Sequence, residues 1–202
     1  VGRRFDGWTA DRLIAAAVAL TLAAVVAQVV TQIIDFTVYD LRIEALNSDG
    51  HASIFGIMSL VAGLAMALAA AYRGVHCDQR GRWLLLAAIA APLVAFRAAF
   101  PGDAVPFAVP CAVIFILVWS LTSNDPTRAR NLVRVSLYIL AFSFVVHIVG
   151  LRIVHALGYA GNSWPYEIKA LLKHTAELAG WMLLGTGVLA GMPRFRTTHS
   201  PS

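Results

Sequence analysis

Of the 202 residues, 59% are hydrophobic and only 13% charged, with a mean hydropathy of +0.72. A soluble domain of this size needs more polar surface, so the composition excludes that class and points to a membrane chain. The net charge of +5 would suggest nucleic acid in a soluble protein. Here the arginines fall in short segments between apolar runs, where they set membrane orientation, and nucleic acid is excluded as a partner.

Spans of about 20 apolar residues fill this length with about six helices and leave no room for a separate soluble domain. The fold class expected is therefore all-α, a polytopic bundle of six transmembrane helices. Their expected ranges are about 13–34, 51–72, 83–99, 105–122, 132–156 and 166–191, in one domain over 1–192 with a disordered cytoplasmic tail over 193–202. Arg3, Arg4 and Arg12 precede an apolar run from Leu13 to about Ile34. That run is longer than a signal-peptide core and lacks a cleavage site, so it is expected to stay as an anchor.

Along the first helix, Thr21, Gln28, Thr31, Gln32 and Asp35 recur at helical spacing and draw one polar stripe, expected to face protein or water rather than lipid. Asp35 to Gly50 reads as an acidic loop closed by a turn at Asn47–Gly50, with His51 at the mouth of the second helix. There Ser53, Gly56, Ser59, Gly63, Ala67 and Ala70 line one side with the small residues that let membrane helices approach closely. Arg73 to Arg82 is expected as a loop. Trp83 anchors a short third helix, and Arg97 sits near its far end within snorkelling distance of the interface. Phe100 to Pro106 is a tight turn, and Pro106 and Pro110 occupy the first turns of helix four, where a missing amide donor costs least. Ser123 to Asn131 is a polar turn, Gly158 to Trp164 a loop, and Pro165 opens the last helix. Cys77 and Cys111 have no ligand spacing and are expected at different depths, so no disulfide is expected.

Counted segment by segment, eleven of the 16 Lys and Arg fall on the side of the termini and five on the other. The positive-inside rule then puts both termini in the cytoplasm of a bacterial inner (plasma) membrane. On that reading Asp35, Asp40, Arg42, Glu44, His51, Arg97, His147, Arg152, His155, His174 and Glu177 all lie in the outer half, and the inner half holds only ordinary loop charges.

Ionisable groups inside a span are expensive and mark function or a fixed partner. His174 and Glu177, three apart in Lys169–Gly191, look the same way from one helix. With His147, Arg97, Asp35 and Gln28 they form the expected ligand-binding set. His51, His147, His155, His174 and Glu177 are the candidate metal ligands. A divalent metal or a haem is the cofactor such a set would take, and His147 with His174 comes closest to the equal-depth pair that haem b needs. For each residue a structural role stands beside the functional one. The histidines can be interfacial, Glu177 can pair with Lys173, Arg97 or Arg152, and the first-helix stripe can be interhelical glue. No HExxH, Walker loop or CxxC is present.

The stretches Leu41–Leu60 and Leu171–Leu184 resemble an uncharacterised group of bacterial six-span proteins, in which an acidic segment with an Asn precedes helix two and a glutamate-bearing segment opens the last helix. The resemblance implies the order of spans and supplies no activity. The group also carries an acidic, histidine-bearing run at the end of helix three, where this chain has Val94–Ala104 without one. The function expected is an integral membrane protein whose outer polar pocket binds a small ligand, an ion or a partner protein. The alternatives are a metal- or haem-binding oxidoreductase and a small-solute or proton-coupled transporter. The partners expected are the lipid bilayer and either a second membrane protein or another copy of this chain.

Overall fold

The computed structural model describes residues 10–40, 43, 45–46, 53–99, 107–159 and 163–192, with the backbone alone at 97–99. Among these residues every regular element is helical and no strand occurs. Six helices follow one another: α1 (Ala10–Val38), α2 (Ile54–His76), α3 (Arg80–Ala99), α4 (Ala108–Leu121), α5 (Thr127–Ala156) and α6 (Trp164–Ala190). Three of them, α1, α2 and α5, are long and apolar enough to cross a membrane, and α4 is a shorter apolar helix.

Local chemistry sets the ends. Ser53, extended at φ −60° and ψ 131°, starts α2 by accepting a hydrogen bond from the Gly56 amide on its side-chain oxygen. Pro126 precedes α5, and Pro165 stands in the first turn of α6, where its missing N–H would have had no helical partner. Inside α5, Val146–Gly150 form a single π-helical turn.

α6 is the central helix. It packs against α1, α2 and α5, α2 also packs against α3, and α3 against α4, while α4 barely touches α5. Beyond Leu172 no residue of α6 is exposed. Glycines make this contact with several neighbours feasible. A Cβ on Gly180 would lie 2.5 Å from Leu140 Cγ, and one on Gly187 would lie 2.7 Å from Val133 Cγ2, so this face admits α5. Gly185 faces the other way, against the Met66 backbone of α2. Gly63 does the same for α3, where Val94 fills the space a side chain would take. The core between these helices is apolar, built around Met66, Trp83, Leu86, Leu137 and Leu184. The outer faces are apolar as well: Leu20, Leu22, Val26, Leu68, Val109 and Ile116 are each at least 60% exposed. Water would penalise such an exterior, and hydrocarbon would not.

Two expectations are corrected by where the helices end. Asp35 does not open a loop. α1 runs on to Val38, and Asp35 is fully buried within it. Likewise Arg73 does not begin a loop, because α2 continues to His76 and Arg73 is buried in its last turn. For Arg73 a buried carboxylate, Asp125, meets the charge inside the bundle.

Candidate functional site

The stripe on α1 reaches α6. Thr21, Ala24, Gln28, Gln32 and Asp35 are its buried residues, at spacings of three and four that keep one face toward the neighbour. Thr21 Oγ1 stands 3.9 Å from Met182 Sδ, Gln32 Nε2 donates to Glu167 Oε2 at 2.7 Å, and the Phe36 and Trp164 rings meet at 4.1 Å. These three contacts run antiparallel, so the C-terminal end of α1 lies beside the N-terminal end of α6. Thr31 sits at the margin of the stripe, where its hydroxyl donates to the Ala27 carbonyl.

At that end Asp35 has no accessible surface. Its Oδ1 accepts from the Ile43 amide at 3.1 Å, a contact made as the chain turns back through Asp40, which adopts the left-handed conformation at φ 53°. Its Oδ2 is buried with no hydrogen-bond partner among the described residues. A carboxylate oxygen left so is costly, and a donor from water or ligand would relieve it.

Three further charged side chains are buried in the first turns of α6: Glu167, Lys169 and Lys173. The Lys169 stem lies on Gly150 of α5, where a Cβ would come within 2.9 Å of Lys169 Cγ, and its ammonium sits 4.1 Å from the centroid of the Tyr166 ring. Glycine at position 150 thus admits the lysine, at the last residue of the π-helical turn. That turn also carries His147, which is buried. One turn earlier in α5, Ser143 Oγ donates to the Lys173 carbonyl at 2.8 Å.

Lys173 Nζ lies 3.2 Å from His174 Nε2, and His174 Nδ1 lies 3.9 Å from Glu177 Oε2. An ammonium has only donors. With Lys173 charged, Nε2 must therefore accept, which places the imidazole proton on Nδ1, on the side of Glu177. Lys173 and His174 are within hydrogen-bond distance, and Glu177 stands beyond it, 3.9 Å from the ring.

Of the residues singled out in the sequence, the structure gathers Gln28 and Asp35 on the α6-facing stripe and sets His174 beside Glu177. His147 is buried nearby on α5. His155 and Arg152 are exposed in the last turns of α5, where Val154 is the buried residue. The Arg97 side chain and His51 lie outside the described residues. Among the described residues no three His, Cys, Asp or Glu side chains converge as a set that could hold a metal ion.

Glu167 and Lys169 escaped the sequence reading, and Lys173 entered it only as a partner for Glu177, because all three sit where hydropathy assigns interface. Their signal is the central position of the last helix, which no local pattern shows. A second polar cluster corrects the expectation that the other half holds only loop charges. Arg73 of α2 makes a two-pronged contact with the Asp125 carboxylate, Nη1 to Oδ2 at 2.8 Å and Nη2 to Oδ1, in the turn before α5. Nη1 also donates to the Val188 carbonyl of α6 at 3.0 Å, and the guanidinium lies 4.3 Å from the centroid of the Trp83 ring. Ser59, Gly63, Met66, Ala70 and Arg73 follow one another at three- and four-residue steps, so the buried face that holds Ser59, Gly63 and Ala70 of the small-residue seam also carries Arg73, which the sequence reading left in a loop.

The fold and these sites define an all-helical chain with three helices able to span a membrane and ionisable groups buried at both ends of a central helix. No protein-family model matches it, and no curated protein or solved structure is significantly similar to it.

Proposed function

We propose that the chain spans a bacterial inner membrane six times with both termini in the cytoplasm, and that the polar cluster between α1, α5 and α6 is an outward-facing binding site for a small polar solute. The observation that carries this reading is the set of ionisable side chains buried at that one end: Asp35, His147, Glu167, Lys169 and Lys173. Charges inside a bundle are retained against a cost of several kcal/mol, of order ~2.5–3.5 for each at a span centre, and they concentrate where a solute or proton is handled. The mixed signs suit a ligand carrying both donor and acceptor groups. The test is thermal stabilisation of the detergent-purified chain by a panel of amino acids, small carboxylates and amines. A solute that stabilises the wild type and fails to stabilise Asp35→Asn or Lys173→Met supports the site. Equal stabilisation of all three proteins removes it.

A second reading, proton-coupled transport, draws on the Lys173, His174 and Glu177 line. Between Glu177 and the Arg73–Asp125 pair the interior is filled by Met66, Leu184 and Val188 with their neighbours, so the polar line stops part-way. Transport on this reading needs a second conformation. Proton uptake into vesicles that is lost in His174→Phe would favour it over one-sided binding. The divalent-metal alternative gains no set of three convergent donors from the described residues.

A further inference from the structure

We infer that the face of α5 that begins at Arg130 and Arg134 is a binding site for an anionic phospholipid, separate from the polar cluster. The inference rests on the six-span reading for its setting but not on the proposed solute site. Arg130 and Arg134 are one turn apart on α5 and both reach toward the C-terminal end of α4. Arg130 Nη1 donates to the Ser123 carbonyl at 3.1 Å, and the Arg134 guanidinium lies 4.6 Å from the centroid of the Trp119 ring. A guanidinium carries five N–H donors, and stacking on an aromatic face leaves its edge available. Among the described residues Arg134 has no hydrogen-bond acceptor. The Arg134 edge, with the positive charge of Arg130 one turn away, matches the oxygens of a phosphodiester.

The same face then turns apolar. Tyr138, 58% exposed and edge-on to Trp119, is followed by Phe142 at 50% and Val145 at 53%, at spacings of four and three that continue the line of the arginines. α4 leans on α3 and hardly touches α5, so among the described residues this line has no helix packed on it along most of its length. From Arg134 to Val145 the rise is about 16 Å at 1.5 Å per residue. One leaflet of a hydrocarbon core of about 30 Å is about that deep. A cationic head, an aromatic pair at the interface and an apolar track one leaflet long together fit a lipid with a charged phosphate, and basic pockets between spans on the cytoplasmic side are where anionic headgroups are held. A free phosphate would use the arginines and leave the track unused.

The test is native mass spectrometry of the detergent-solubilised full chain, offered equimolar phosphatidylglycerol and phosphatidylcholine with the same acyl chains. The wild type should retain phosphatidylglycerol in preference, and Arg134→Gln should lower that preference about fivefold, which corresponds to about 1 kcal/mol for one basic residue. Arg130→Gln with Arg134→Gln should abolish it. Arg134→Gln alone keeps the Arg130 contact to Ser123, so it carries the test if the double variant does not fold. Arg128→Gln removes the same charge from a side chain that is 77% exposed and should change nothing. Equal retention of both lipids by the wild type, an unchanged preference in Arg134→Gln, or an equal loss in Arg128→Gln would overturn the site. So would complete displacement of the lipid by millimolar inorganic phosphate. A chain that extracts from membranes with alkali would defeat the six-span reading instead, a result independent of lipid choice.

Discussion

Replacing Asp125 with alanine leaves Arg73 in place without its carboxylate, and the structure sets the size of the consequence. The two side chains are 7% and 4% exposed and the pair is two-pronged. Breaking such a pair by removing one partner costs about 3–5 kcal/mol, because a charge remains buried and uncompensated. Two contacts soften the loss here: the Val188 carbonyl still accepts from Nη1, and the Trp83 face still lies under the guanidinium. A desolvated cation–π contact is worth up to about 2 kcal/mol. The expected loss therefore sits at the lower end, about 3 kcal/mol, read as the shift in unfolding free energy in mixed detergent and SDS micelles. The double variant Arg73→Met, Asp125→Leu buries no charge and should return to within about 1 kcal/mol of wild type, since apolar replacement of a buried ion pair is often neutral or favourable. A single variant that loses less than about 1 kcal/mol, or a double variant as unstable as the single, would refute the view that the cost lies in the stranded charge.

The glycines of α6 should differ according to what they face. Gly180→Ala puts a Cβ against Leu140, with the Leu140 amide nitrogen 3.3 Å away, and should cost about 1–3 kcal/mol in the same unfolding assay. Gly185→Ala meets Met66 at 3.4 Å, an ordinary contact, and should be neutral or gain up to about 1 kcal/mol from helix propensity. Glu167→Gln keeps an acceptor for Gln32 and should unfold within about 1 kcal/mol of wild type, whereas Glu167→Leu strands the buried amide and should cost about 1–3 kcal/mol.

The polar stripe of α1 was legible in the sequence because glutamine and aspartate stand out in a helix of Ala, Val and Leu, and their spacing alone says that they share a face. The neighbour that covers the face was not legible. Nothing local to Lys169–Gly191 says that this helix is the one in the middle, since its glycines could as well have faced lipid. Once α6 is central, Lys169 and Lys173 must be buried, although their positions in the sequence read as an interface. Pairing across long separations was equally hidden. Arg73 finds Asp125 only because the turn before α5 folds under the end of α2, and hydropathy counts both residues as loop. His147 and His155 were read together as candidate metal ligands; the first is buried beside α6, and the second stands in the exposed last turn of α5.

Along α6 the rise from Glu167 to Val188 is about 31 Å, and the two polar clusters sit at these ends. They differ in how tightly they are closed, although each keeps a buried polar atom without a partner among the described residues, Arg73 Nε at one end and Asp35 Oδ2 at the other. At the Val188 end one cation meets one carboxylate, a carbonyl and an aromatic face, and Gly191 lies so close to the Asp125 carboxylate that a Cβ would have no room there. Such a site has space for nothing else and is suited to holding α2, α6 and the turn before α5 together. At the Glu167 end, charges of both signs are spread over three helices, a π-helical turn interrupts α5, and Asp35 Oδ2 is buried without a donor among the described residues. Interrupted helices and unsatisfied carboxylates are tolerated where a ligand or a moving proton completes them. Stability and binding should therefore separate by end. Arg73→Met with Asp125→Leu should bind any solute identified for the chain as the wild type does, while Asp35→Asn should lose that binding with little change in unfolding. If the double variant at the Val188 end abolished binding while keeping its fold, the two ends would have to be coupled, and the one-sided site would give way to a mechanism that uses the whole length of α6.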